Sequence, residues 1–207
     1  MPELTAYRKD LKKRIIKCAT ELFAKHGVRS VKMDDITKSL SVSKRTVYEL
    51  YDNKEALLCE VVMHHHQQEQ KVFEQLSASG GNVMDVLTGI IRLRMDNINE
   101  ATPSFYRDLM HYPRVVEMMD QQRRQYKVTS KDFIKRGISE GYFLPYANYE
   151  MLADLAERIM QSTLAEEHDD IDLHDFFNTM ILLFVRSVCT EKGLEILDPF
   201  LTELKGE

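Results

Sequence analysis

Lys32-Met33-Asp34-Asp35-Ile36-Thr37-Lys38-Ser39-Leu40-Ser41-Val42-Ser43-Lys44-Arg45-Thr46-Val47-Tyr48-Glu49-Leu50-Tyr51-Asp52-Asn53-Lys54 reads as two short helices around a tight turn. Met33, Ile36 and Leu40 recur at helical spacing, Val42 falls within the turn, and Val47 and Tyr51 lie four apart on the next segment. One small core can therefore hold both helices, which is the pattern of a helix-turn-helix. Ser43 is placed to cap the second helix, its hydroxyl accepting a backbone N–H from the first turn. Lys44, Arg45, Thr46 and Tyr48 are then the outward residues of that helix. They carry hydrogen-bond donors suited to phosphates or base edges, as a recognition helix requires.

Outward from this motif the chain reads as all-α. A first helix is expected over about 8–26, with Leu11, Ile15, Ala19, Leu22 and Phe23 as its apolar stripe and Gly27 as its stop. A long helix carrying Leu57, Leu58, Val61 and Val62 begins near Lys54 and ends before the loop Ser77-Ala78-Ser79-Gly80-Gly81-Asn82. Further helices are expected at about 83–100, 103–111, 114–140, 147–167 and 172–194, with breaks at Pro103, Pro113, Gly141 to Pro145 and the acidic stretch Glu166 to Asp172. Two domains result: residues 1–53, a three-helix helix-turn-helix domain, and residues 54–207, a larger helical domain.

Ser43-Lys44-Arg45-Thr46-Val47-Tyr48, followed by Tyr51 and by Asn53-Lys54-Glu55-Ala56-Leu57, resembles the DNA-binding domain of the tetracycline-repressor (TetR) family. The ordered match covers about residues 8 to 60; beyond it, the phrase Gly137-Ile138-Ser139-Glu140-Gly141-Tyr142-Phe143, length and helicity are similar. The resemblance implies an all-helical homodimer whose C-terminal domain binds a small molecule and whose N-terminal domain then releases a palindromic operator. It assigns DNA contact to Lys32, Ser43, Lys44, Arg45, Thr46, Tyr48, Tyr51 and Lys54, with Lys54 as a phosphate contact. Arg45 is either a base reader or one more phosphate contact.

Three departures from the family pattern bear on the motif. Lys32 stands where a Thr or Ser usually caps the first motif helix, so Asp35 lacks a hydroxyl partner for a capping box. Ser41 occupies a turn position usually held by Gly, and must take a left-handed conformation or shift the turn. Arg45 replaces a frequent Gly, so no relative's operator sequence carries over.

Composition narrows the class. The 207 residues are 43% hydrophobic with 8 Gly and 5 Pro, which suits long helices around a sizeable core. The net charge of −5 divides unevenly: residues 1–60 hold 13 Lys and Arg against 9 Asp and Glu, the remainder 15 against 24. The basic part is the helix-turn-helix part, and Arg8, Lys9, Lys12, Lys13, Arg14 and Lys17 add a positive arm. Cys18, Cys59 and Cys189 are isolated, so neither a disulfide framework nor a cysteine zinc site is expected. The longest apolar run, Met180 to Val185, is too short to span a bilayer, which makes the cytoplasm the expected location.

No nucleophile elbow, phosphate loop or HExxH motif is present, so no enzyme, cofactor or metal is expected. The alternatives to a DNA-binding regulator are an all-α enzyme and a protein-interaction module. His64, His65 and His66 point about 100° apart on a helix and cannot share one ion. The stretch from His168 to Asp175 lacks the Gly and terminal Glu of an EF-hand, and Asp172 reads as a helix cap.

Two further groups of residues complete the expectations. Met84, Met95, Phe105, Tyr106, Met110, Met119 and Tyr126 are candidate effector-pocket residues, balanced against ordinary core, because Met adapts its shape and Tyr adds a hydroxyl to an apolar wall. Leu155, Ile159, Phe177, Met180, Ile181 and Phe184 are candidate dimer-interface residues. A helix apolar over most of its girth needs cover on two sides: one can be its own domain and the other a second subunit, the alternative being burial wholly within a monomer.

Overall fold

The computed structural model describes residues 6–165 and 172–204, the side chains of residues 126–129, 165, 173 and 174 excepted. Ten α-helices follow one another among them: α1 (Ala6–His26), α2 (Met33–Leu40), α3 (Lys44–Tyr48), α4 (Lys54–Ala78), α5 (Val83–Glu100), α6 (Pro103–Leu109), α7 (Pro113–Ser139), α8 (Tyr149–Ala165), α9 (Leu173–Met180) and α10 (Glu191–Leu204). No strand occurs among the described residues; Phe143 and Cys189 form an isolated antiparallel bridge. The all-α reading holds.

The chain gathers into two compact units, one of residues 1–68 and 100–119, the other of residues 69–99 and 120–207. In the first, Leu11, Ile15, Ala19 and Phe23 of α1 pack with Met33 and Ile36 of α2, Val47 of α3, and Leu57, Leu58 and Val61 of α4. Phe105 and Leu109 of α6 and Val115 of α7 complete this core. Gly27 takes φ +76°, and its N–H reaches back 2.9 Å to the Phe23 carbonyl, ending α1. A Cβ there would also stand 2.9 Å from Ser104 Oγ and 3.1 Å from Asp108 Oδ2, so α6 closes on this turn because the residue is glycine.

The second unit is built on Val83, Met84, Ile91 and Met95 of α5, with Phe143, Cys189 and Leu197. Gly137 lets the Phe143 ring lie against α7, since a Cβ there would sit 2.0 Å from the ring. Phe143 in turn contacts Phe133 and Tyr149, with ring centroids 5.9 and 6.5 Å away. Glu140 ties α7 to the start of α5: its carboxylate accepts the Val83 N–H at 2.7 Å and the Arg136 Nε–H at 2.6 Å.

The last helix expected from sequence, 172–194, is divided in the structure. Asp172 caps α9 through the Asp175 N–H at 3.3 Å, as expected. After Met180 the chain passes through a π-helical turn, Ile181–Val185, and a short 3₁₀ turn, Arg186–Val188. It then extends at Cys189, and a separate helix, α10, begins under a Thr190 cap whose hydroxyl accepts the Gly193 N–H. The break follows from the bridge: Leu144 N–H donates to the Val188 carbonyl and Thr190 N–H to the Tyr142 carbonyl, both at 2.9 Å, which removes those groups from a helical ladder. The acidic stretch from Glu166 to Ile171 lies outside the described residues.

Candidate nucleic-acid interface

The turn between α2 and α3 forms as the sequence requires, with its cost visible. Ser41 adopts the left-handed conformation, φ 54° and ψ 40°, and its N–H closes on the Lys38 carbonyl at 3.1 Å. A glycine would take this conformation with less steric penalty. Lys32 supplies no side-chain cap to α2, yet half of a capping box survives: the Asp35 carboxylate accepts the Lys32 N–H at 2.8 Å. At the recognition helix Ser43 Oγ accepts the Thr46 N–H at 3.1 Å and lies 2.7 Å from the Thr46 hydroxyl. These contacts fix the N-terminus of α3, the end that would meet base edges.

On this scaffold Lys32, Ser43, Lys44, Arg45 and Tyr48 are exposed, with the Arg45 side chain 89% accessible and Tyr48 46%. Thr46 is half-buried behind them. Two of the expected contacts are placed differently. Tyr51 is 4% exposed and belongs to the core among α1, α3 and α4, so its ring is a packing residue and not a surface for DNA. Burial, with Glu60 beside the hydroxyl, pushes its phenol well above the ordinary range. Lys12 pairs with Glu60 and lies 5.8 Å from the centre of the Tyr51 ring.

Lys54 is the second. Its ammonium donates to the Val28 carbonyl at 2.8 Å and the Val31 carbonyl at 3.0 Å, gathering the loop between α1 and α2. Partial burial lowers its pKa, with Asp108 opposing. In this arrangement its charge closes the carbonyls of a loop, a structural role that sequence reasoning missed.

The cations of the reading head carry carboxylates. Lys44 pairs with Asp34, which raises the Lys44 pKa through the hydrogen bond between them. Glu49, at the C-terminal end of α3, accepts Arg45 Nε–H at 3.0 Å with one oxygen and Arg8 of α1 at 3.1 Å with the other. The Arg45–Glu49 spacing of four was legible in the sequence. The reach from Arg8, 41 residues away, was not.

Behind the reading head, α6 holds the end of α1 and the loop after it. Thr102 donates to the Ala24 carbonyl from both its N–H, 2.8 Å, and its hydroxyl, 2.9 Å. Asp108, 8% exposed, accepts the Arg29 N–H at 2.6 Å. Neither residue carried a motif that sequence reading could have found.

The expected effector residues do not gather in one place. Met84 and Met95 are buried in the second unit's core, whereas Phe105 lies in the first unit's core with Tyr106 and Met119 packed against it. Met110 is half-buried at the end of α6, and the Tyr126 side chain lies outside the described residues. Of the expected interface residues, Leu155 and Ile159 are exposed on α8, while Phe177, Ile181 and Phe184 are half-buried and Met180 is buried within the chain. Met151, Leu155 and Ile159 recur every four residues on one face of α8; Leu182 and Leu183 are exposed on the adjoining π-helical turn, which packs against α8. Among the described residues no cluster of His, Cys, Asp and Glu has metal-binding geometry, and His64 lies 3.4 Å from the Gln68 amide.

Residues 15–61 match the family model for bacterial regulatory proteins, tetR family. The HTH-type transcriptional repressor KstR2 of Mycobacterium tuberculosis is 24% identical over 155 residues, covering 72% of this chain and 75% of that one. Among solved structures, a TetR-family regulator from Agrobacterium tumefaciens is 18% identical with a TM-score of 0.64, covering 88% of this chain and all of that one. A transcriptional regulator from Cytophaga hutchinsonii is 18% identical with a TM-score of 0.65, covering 92% of this chain and 96% of that one. The likeness of fold runs through both units, and the helix-turn-helix carries the family model. Residues 15–61 thus carry the DNA-binding domain of the tetR family of bacterial regulatory proteins, and the described helices share the all-α fold of those regulators.

Proposed function

We propose that this protein is a dimeric repressor that occupies a palindromic operator and leaves it when a small molecule binds. The observation that carries the reading is the Ser43-capped α3, which holds Lys44, Arg45 and Tyr48 outward on a basic N-terminal domain. DNA reading is assigned to residues 1–53, and effector binding and dimerisation to residues 54–207. Lys32, Lys44 and Tyr48 are assigned to the phosphate backbone and Arg45, whose guanidinium can take O6 and N7 of a guanine together, to a base edge.

Support for an effector comes from relatives: one neighbour is described as a gamma-butyrolactone receptor, another was solved in complex with choline. The release mechanism needs only differential affinity for two states of the reading head. The α6 contacts of Thr102 and Asp108 offer a route, because α6 lies between α5 and α7 in the chain and grips α1 and the loop that precedes α2. Support for the dimer is the exposed apolar face of α8 and its neighbouring turn, which a second copy related by a two-fold axis would cover. Two reading heads would then match two half-sites one helical turn apart.

A gel shift on the DNA upstream of the protein's own gene, at two salt concentrations, tests the reading. Salt-sensitive retention of one fragment is expected, since each phosphate contact releases a counterion. Equal or absent retention of all fragments would leave a protein-interaction module as the better account. Arg45→Ala should weaken the best operator by about 1–3 kcal/mol and relax preference at one base pair per half-site.

A further inference from the structure

Glu49 occupies an unusual place for a carboxylate: it is exposed at the C-terminal end of the helix proposed to enter the groove, where the approaching duplex is polyanionic. Its two oxygens are divided between Arg45 on α3 and Arg8 on α1, at 3.0 and 3.1 Å. Asp34 stands in the same relation to Lys44. From Lys32 to Glu49 the motif carries four Lys and Arg side chains and three carboxylates, so its net charge is small although its cations are many.

We infer that Glu49 is a specificity-determining counter-charge, which occupies Arg8 and Arg45 in the free protein and lowers affinity for DNA lacking the operator sequence. This rests on the DNA-reading role proposed for α3. On a random duplex the phosphates must draw both guanidiniums from Glu49 and also approach its charge, a penalty that sequence-independent attraction has to offset. On the operator, Arg45 gains directional hydrogen bonds to a base edge that phosphate contact cannot supply. The same carboxylate thus weakens non-specific binding more than specific binding, and specificity is the difference between them.

The test compares wild type, Glu49→Gln and Arg8→Gln on the selected operator and on a scrambled duplex of equal length, over three salt concentrations. Circular dichroism melting checks that all three fold. For Glu49→Gln, scrambled-duplex affinity should rise roughly 3–10-fold and its salt slope should steepen by about one, while operator affinity changes less than about 2-fold. Arg8→Gln should weaken both duplexes together. Weaker operator binding by Glu49→Gln with altered preference at one base pair would make Glu49 a base reader and overturn the inference. Equal changes on both duplexes, or none, would overturn it as well. Failure of wild type to bind the operator in the same series would instead refute the DNA-reading role itself.

Discussion

The first compact unit withdraws Leu11, Ile15, Phe23, Ile36, Leu57 and Val61 wholly from solvent, while the second leaves Met151, Leu155, Ile159, Leu182 and Leu183 open to it. Both are helical and both have aliphatic and aromatic cores. The difference lies in what each does with its surface. The first unit's described large exposed apolar groups are Tyr7 and Tyr48, amphipathic rings near its cations, whereas the second exposes a row of purely apolar side chains. Large exposed apolar patches are uncommon on monomeric surfaces, which is why this face is the one proposed for a second copy. The contrast teaches that one unit closes its apolar surface with its own chain, while the other leaves open the face on which the proposed dimer rests.

The strongest way to break that comparison is to charge the exposed face. Leu155→Asp combined with Leu183→Asp should turn a dimer into soluble monomers with an unchanged fold, because both side chains already face solvent in the single chain. Sedimentation velocity checks it; a dimer that persists would place the interface elsewhere. Met180→Asp is a poor substitute, since it would bury a charge within the protomer and unfold it.

Next in size is Asp108→Ala. It removes the acceptor of the Arg29 N–H and the charge near Lys54, and should cost the first unit about 1.5–3 kcal/mol in denaturant unfolding. An unchanged midpoint would show that α6 does not hold the reading head. Lys54→Ala, which frees the Val28 and Val31 carbonyls, should lower stability by about 1 kcal/mol as well as DNA affinity. A loss of affinity with stability intact would restore Lys54 to a purely phosphate-binding role.

The second unit has its own test in Glu140. Burial would raise its pKa, but the Val83 N–H and Arg136 outweigh it and hold the carboxyl below its ordinary value of 4.5. A depressed acid contributes stability that is present above the unfolded pKa and lost as pH falls through the folded one. Glu140→Gln should therefore be less stable than wild type at pH 7, and the two should converge in acid; a gap that persists there would assign the effect to packing.

The smallest expected effect is a gain. Ser41→Gly relieves a left-handed serine and should stabilise the first unit by about 0.5 kcal/mol, reduced by the greater chain entropy of glycine when unfolded. A loss of stability would mean that the serine side chain has a role beyond the turn.

Much of the first unit was legible because its signals are local. A helical repeat of Met33, Ile36 and Leu40, a serine cap and a glycine stop act within a few residues, and the structure packs Met33, Ile36, Val47 and Tyr51 in one core. Tyr51 shows where locality fails. A tyrosine beside a DNA-binding motif reads as a surface contact until α1 and α4 are seen to close over it. Lys54 fails in the same way, for its partners are carbonyls 23 and 26 residues earlier.

By itself the sequence determined an all-α chain and the helix-turn-helix with its capped recognition helix, because turn chemistry, capping and hydrophobic period depend on neighbours in the chain. Only the tertiary structure decided that α6 belongs with the reading head, that Phe105 packs there, that Met180 is covered by its own chain, and that Glu49 gathers Arg8 with Arg45. Each of these depends on which face of a helix meets which distant segment, and helical period identifies an apolar face without naming what covers it.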